Sequence, residues 1–201
     1  MESLKKIDIR FIVLLLFILV AGSMRLFNSF NHNPISNFTP IGAMALFGGS
    51  QFSSHWKAYM FPVLTLWLTD IILNRFLYFN DWVFFYDGFL WVYGTFMFIV
   101  VLGQLLIKKI AAKNIIFAAI CASLAHWLIT DFGVWLGGGT NPATNLPYPK
   151  TLLGYWECLA MALPFLKNFL LGTVCYSTVL FGGLVIAQMR FPVLNKPVAA
   201  V

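Results

Sequence analysis

The sequence predicts an all-α fold of the membrane-bundle class, a single integral domain over residues 1–201 with about six transmembrane helices. Three observations carry that prediction. Hydrophobic residues make up 60% of the chain and charged residues only 10%, against about 25% charged in a soluble domain. The apolar residues fall in runs near the ~20 residues that cross a hydrocarbon core. The positive charges lie mostly between those runs rather than inside them.

Taken in order, the first run covers residues 9 to 27 and follows Lys5, Lys6 and Arg10. Its basic start and its small-residue end at Ala21-Gly22-Ser23 also have the outline of a secretory signal. Removing it would leave an odd number of spans and upset the charge balance described below, so it is expected to remain as the first span. The second run, 39 to 53, has 15 residues, about 22 Å of helix at 1.5 Å per residue. It is expected to be short, tilted or re-entrant. Gly42, Ala43, Ala45, Gly48 and Gly49 permit close helix approach or a broken helix lining a cavity, and Pro40 suits a first helical turn. Further spans are expected near 57 to 75, 85 to 107, 114 to 136 and 163 to 188. The fourth and sixth are the clearest, because neither Gly88 to Ile107 nor Asn168 to Met189 contains a charged residue.

With residues 1–8 as a cytoplasmic tail, nine basic residues fall inside: Lys5, Lys6, Arg10, Lys57, Lys108, Lys109, Lys113, Arg190 and Lys196. Four, Arg25, Arg75, Lys150 and Lys167, fall outside or near the outer boundary. Excess Lys and Arg mark the cytoplasmic side, so both termini, including the 190–201 tail, are expected inside, with the chain in the bacterial inner membrane. Three polar, aromatic-rich loops then lie outside: Asn28 to Phe38, Asn74 to Phe84 and Gly137 to Tyr155. Loops held by a rigid scaffold carry function, so the outer face is the place to seek a site.

Several function classes are disfavoured. The net charge of +6 is scattered for topology and does not interleave with exposed aromatics, so no nucleic-acid partner is expected. Gly137-Gly138-Gly139 lacks the preceding strand and the Gly-Lys-Ser/Thr ending of a phosphate cradle. Cys121, Cys158 and Cys175 are widely spaced and form neither a disulfide framework nor a metal motif. Neither a Ser-His nor a paired-Asp arrangement with suitable helical spacing is present, so the chain does not read as an enzyme. No cofactor is expected.

Charged residues within spans cost about 2.5 to 3.5 kcal/mol on insertion scales, so each calls for a partner, an interfacial position or a function. Arg25, Asp70 and Asp131 all fall in the outer third, where Arg25 could neutralise one or both carboxylates. Two readings stand side by side: a buried ion pair that fixes helix register, or the floor of an outward-facing pocket. His126 and Thr130, four apart, share a helix face. A His with two Asp could hold a divalent cation, but no paired-His motif accompanies them and a hydrogen-bonding core histidine is the simpler reading, so no metal is expected. His32 and His55 fall in loops. Trp82, Tyr86, Trp91, Tyr93, Trp127, Trp135, Tyr148, Tyr155 and Trp156 cluster near outer ends, as an interfacial belt would and as a pocket for a flat heterocycle would.

Several blocks then carry a resemblance. Asn37-Phe38-Thr39-Pro40-Ile41-Gly42-Ala43-Met44-Ala45-Leu46-Phe47-Gly48-Gly49, Leu68-Thr69-Asp70, Thr130-Asp131-Phe132-Gly133-Val134-Trp135, Tyr148-Pro149-Lys150-Thr151 with Gly154 and Cys158, and Pro164-Phe165 with Asn168 and Leu171-Gly172 resemble, in order, a bacterial membrane family of unknown function described as candidate transport proteins. That family is in turn similar to the substrate-binding S component of energy-coupling-factor (ECF) vitamin transporters, a six-helix bundle that binds its ligand from the outer face. The resemblance implies capture of a small, vitamin-like molecule. Taken with the charged and polar residues read above, the candidate ligand-binding residues are Arg25, Asn37, Thr39, Asp70, His126, Thr130, Asp131, Trp135, Tyr148 and Asn168. Implied partners are the lipid bilayer, the substrate, and a coupling membrane subunit with ATPases, since the chain has no ATP motif of its own. The family pattern has Asn where this chain has Asp131. The alternative expectation is a ligand-free membrane scaffold of the kind that positions envelope-synthesis machinery.

Overall fold

The computed structural model describes residues 8–30 and 38–195, and every described element is helical. In chain order these are α1 (Ile9–Phe30), α2 (Ile41–Gln51), α3 (His55–Leu73), α4 (Phe89–Leu106), α5 (Ala112–Leu136), α6 (Leu152–Met161) and α7 (Leu163–Arg190). A π-helical turn, Asn74–Tyr78, continues α3, and a 3-10 turn, Pro192–Leu194, follows α7.

Among the described residues five helices are long and apolar enough to cross a membrane: α1, α3 with its π turn, α4, α5 and α7. Their outer flanks carry bare Leu16, Val20, Phe98 and Ile186. Water would not tolerate a surface of such residues, whereas lipid is their natural solvent. The chain is a membrane protein.

Among the described residues the long helices number five, and the run expected to be short, tilted or re-entrant is the one that is not a long helix. Residues 39 to 53 form only the 11-residue α2, about 16 Å of helix, which cannot cross a bilayer alone. Every residue of α2 is buried, so it is a core element surrounded by the longer helices. A Cβ at Gly49 would collide with the Val100 carbonyl, and one at Gly103 would come 2.5 Å from the Leu46 carbonyl. The α2–α4 crossing therefore depends on two bare backbones meeting. Below it, Phe47 stacks on Phe17 of α1 and meets Phe181 of α7 edge-on.

Ion and polar contacts fix which ends lie together. Arg10 donates to the carbonyl oxygens of Gln51 and Leu194 and to the Gln51 side chain. The start of α1, the end of α2 and the segment after α7 thus share one end of the bundle. At its other end α2 begins beside Thr173, the eleventh of the 28 residues of α7. Hence α2 starts deep within the bundle, not at its surface.

One element was not anticipated. The loop expected over Gly137 to Tyr155 is shorter, because α6 begins at Leu152 with Thr151 accepting a cap bond from the Gly154 amide at 3.2 Å. Trp127 Nε1 donates to the Leu159 carbonyl and the Tyr155 hydroxyl to the Leu128 carbonyl, which lays α6 along α5.

Candidate functional site

At the end of the bundle opposite Arg10, the first cluster assembles on α1 and α3. Gly22 lets α1 approach Thr65, where a Cβ would come 2.5 Å from the threonine methyl. One turn later Arg25 reaches Asp70, with Nη2 to Oδ1 at 2.5 Å, and its other nitrogen donates to Thr69 Oγ1 and the Leu66 carbonyl. The Tyr93 hydroxyl of α4 donates to the second carboxylate oxygen at 2.6 Å. Tyr86 lies against the same carboxylate. Burial, then the charge of Asp70, hold the Tyr86 phenol above its ordinary range, so it stays a protonated donor. Asp70 is therefore saturated, with 7% of its side chain exposed and 13% of the Arg25 side chain. Of the two readings open at the sequence level, the geometry here is that of a sealed ion pair tying α1, α3 and α4.

Asp131 is not part of this cluster. Among the described residues it has no ion-pair partner, and its electrostatic neighbours are Tyr148, Tyr155 and Cys158 on the α6 side of α5. Burial, then the Asp131 charge, raise the Cys158 thiol above its ordinary value, so it is held as a thiol, donating to the Asp131 carbonyl. Of the two carboxylates Arg25 could neutralise, it pairs with Asp70 alone, because residues at equal depth on different helices can face different ways.

The other candidate residues divide similarly. His126 is stacked on Phe169 with ring centroids 4.2 Å apart, beside Phe96. The Thr130 hydroxyl bonds back to the His126 carbonyl. Trp135 Nε1 donates to the Pro149 carbonyl, and Lys150 donates to the carbonyls of Trp135 and Leu136. Tyr148 is buried in the same strap. Lys150 thus caps the C-terminal end of α5, where a cation is favoured. Asn168 lies half-buried near the start of α7. Thr39, immediately before α2, keeps a buried hydroxyl without a partner. Asn37 and His32 lie outside the described residues. Among the described residues no group of three His, Cys, Asp or Glu is placed to hold a metal ion.

Between the start of α4 and the end of α5 lies a cavity of about 420 Å³, lined by Tyr86, Asp87, Trp91, Thr130, Gly133 and Gly137 among others. Its size suits a small organic molecule, and its mix of aromatic walls with a few polar groups is that of a ligand site. Gly133 sets its shape, because any side chain there would strike the Trp91 ring. Gly88, at φ +85°, turns the chain into α4 and brings Tyr86 and Asp87 to the rim. Tyr86 joins this cavity to the Asp70 network. Among the described residues, Thr130 is the one ligand-binding candidate from the sequence that lines it. Asp87 was missed, and Tyr86 and Trp91 stood among the aromatics whose belt or pocket role was open. A larger hollow of about 650 Å³ between α3 and α4 is walled by Trp56, Tyr59, Met60, Leu64 and Met97, a nearly wholly apolar surface of the kind lipid covers.

A family model described as "Family of unknown function (DUF6580)" matches residues 5–194, and the chain belongs to that family. No curated protein and no solved structure matches.

Proposed function

We propose that this DUF6580 protein is a non-enzymatic substrate-capture subunit, which takes a small, flat organic molecule from the outer face of the bacterial inner membrane. The observation that carries this reading is the cavity lined by Tyr86, Asp87, Trp91 and Thr130 at the bundle end opposite Arg10. Lys57, Lys108, Lys109 and Lys113 belong to the Arg10 end, which the positive-inside rule assigns to the cytoplasm. Because α2 ends beside Arg10, α3 starts at the same end of the bundle as α1, and the segment after α7 returns there too, so this reading puts the Arg10–Leu194 end inside. Buried half-length helices are a recurrent device of transporters, where they mark binding regions at membrane depth. The resemblance to an ECF S component adds a coupling membrane subunit and ATPases as partners.

The test is a thermal-shift screen of the purified protein in lipid nanodiscs against vitamins and nucleobases. A ligand at 100 times its dissociation constant stabilises by about 2.7 kcal/mol. The expected result is a saturable shift with at least one compound, lost in Trp91→Ala and Thr130→Ala. A panel that gives no shift in the wild-type protein would count against capture of this class.

A further inference from the structure

We propose that the N-terminal end of α2 is a second binding site, distinct from the cavity between α4 and α5, for a small anionic group: a carboxylate or a halide.

The case begins with the two ends of α2. At its C-terminal end the partial negative charge of the helix meets the Arg10 guanidinium, which donates to the Gln51 carbonyl at 3.3 Å and to Gln51 Oε1 at 3.2 Å. The N-terminal end has no counterpart. Its first intrahelical bond runs from the Met44 amide to the Pro40 carbonyl at 2.8 Å, and among the described residues no side chain caps it. The amides of Ile41, Gly42 and Ala43 are the free donors that every helix start presents, here deep in the bundle.

Side-chain hydroxyls add donors at the same place. Thr173 is fully buried, its Oγ1 has no hydrogen-bond partner, and that oxygen sits where a Cβ on Gly42 would project. It lies against the first turn of α2 at Gly42, beside the Phe169 ring. Thr39 Oγ1 is likewise buried without a partner, and the Thr39 backbone comes within 2.8 Å of where a Gly172 Cβ would stand. Ser177, one turn further along α7, is the third such hydroxyl. Elsewhere in this protein Thr69, Thr95, Ser123, Thr130 and Thr178 each bond to the carbonyl four residues back. Thr173 and Ser177 do not.

The arrangement is rich in donors and has no carboxylate among these groups, and it sits at the positive end of a helix dipole. The hydroxyl oxygens can accept as well as donate, but the amides only donate and no carboxylate among these groups offsets a cation's charge. An acceptor-only group would satisfy the amides and the hydroxyls together.

The experiment uses the full chain in nanodiscs at fixed ionic strength, titrated with sodium bromide or sodium acetate in place of a bulky sulfonate salt, reading the melting midpoint. Bromide-soaked crystals supply anomalous density as a second readout. The expected result is a saturable rise with at least one of the two anions, and at least a tenfold weaker apparent affinity in Thr173→Val and Thr39→Val. Without anion, the Thr173→Val protein should melt no lower than wild type, since the change removes an unpartnered hydroxyl. A response to acetate alone assigns an organic carboxylate, and one to bromide or both assigns a halide-sized anion, with density at the Gly42 amide. Absence of a saturable response, an equal response in both variants, or an ordered water only at the α2 start overturns the proposal. Should one variant fail to fold, the other and the wild-type density decide. The result is independent of the vitamin and nucleobase screen, so either reading can fail alone.

Discussion

Thr69-Asp70 near the end of α3 and Thr130-Asp131 near the end of α5 are the same dipeptide at corresponding places in two membrane helices, yet their surroundings are opposite. Asp70 is filled on both oxygens by Arg25 and Tyr93, with Tyr86 alongside. Asp131 has no ion-pair partner among the described residues and sits beside the protonated groups of Tyr148, Tyr155 and Cys158. Thr69 is buried with its oxygen engaged by Arg25, whereas Thr130 lines an open cavity. A carboxylate in a membrane helix is therefore not a site by virtue of its charge. What decides is whether its hydrogen-bonding capacity is already used by neighbours.

The largest effect expected from this contrast is at the sealed pair. Arg25→Met leaves Asp70 buried and uncompensated, and should cost about 3–5 kcal/mol, read by reversible unfolding in mixed micelles. The double change Arg25→Met with Asp70→Leu removes both charges and should recover most of that loss; equal loss in the double variant would show that the pair is not the source. Gly133→Ala comes next, at about 1–3 kcal/mol from overpacking against Trp91, together with weaker ligand binding in the neighbouring cavity. Tyr93→Phe deletes one donor to Asp70 and should destabilise by about 1–3 kcal/mol, toward the lower part of that range because Arg25 and Tyr86 remain. Asp131→Asn removes a half-buried charge that has no ion-pair partner among the described residues, and should leave the unfolding midpoint at or above that of the wild type. A loss comparable to that of Arg25→Met would reverse the comparison.

Much of this architecture is legible in the chain itself. The uncharged runs from Gly88 to Ile107 and Asn168 to Met189 locate α4 and most of α7, because hydrocarbon thickness sets a length that composition reveals. The brevity of residues 39 to 53 flags α2 as unusual, and its glycines foreshadow the close contact with α4. Depth along a helix also brings Arg25 and Asp70 to one level. What depth does not encode is rotation about the helix axis, which sets Asp131 toward α6 and stacks His126 on Phe169. Likewise Tyr86 and Asp87 reach the cavity only because the segment after α3 is folded back, with Asn74 donating to the Val83 carbonyl and Trp67 to the Phe84 carbonyl. Such contacts depend on the tertiary arrangement, and no local periodicity announces them. The unpartnered hydroxyls of Thr173 and Ser177 are invisible for the same reason, since only the packed bundle shows that they do not bond back along their own helix.

The proposed capture role requires the cavity beside Thr130 to open to the outer side. In a background with Cys121, Cys158 and Cys175 replaced, a Thr130→Cys protein in intact cells should react with a membrane-impermeant maleimide added outside. Lys108→Cys, at the other end of the bundle, should react only after permeabilisation. Labelling of Thr130→Cys only from the inside, or at neither side, would contradict it.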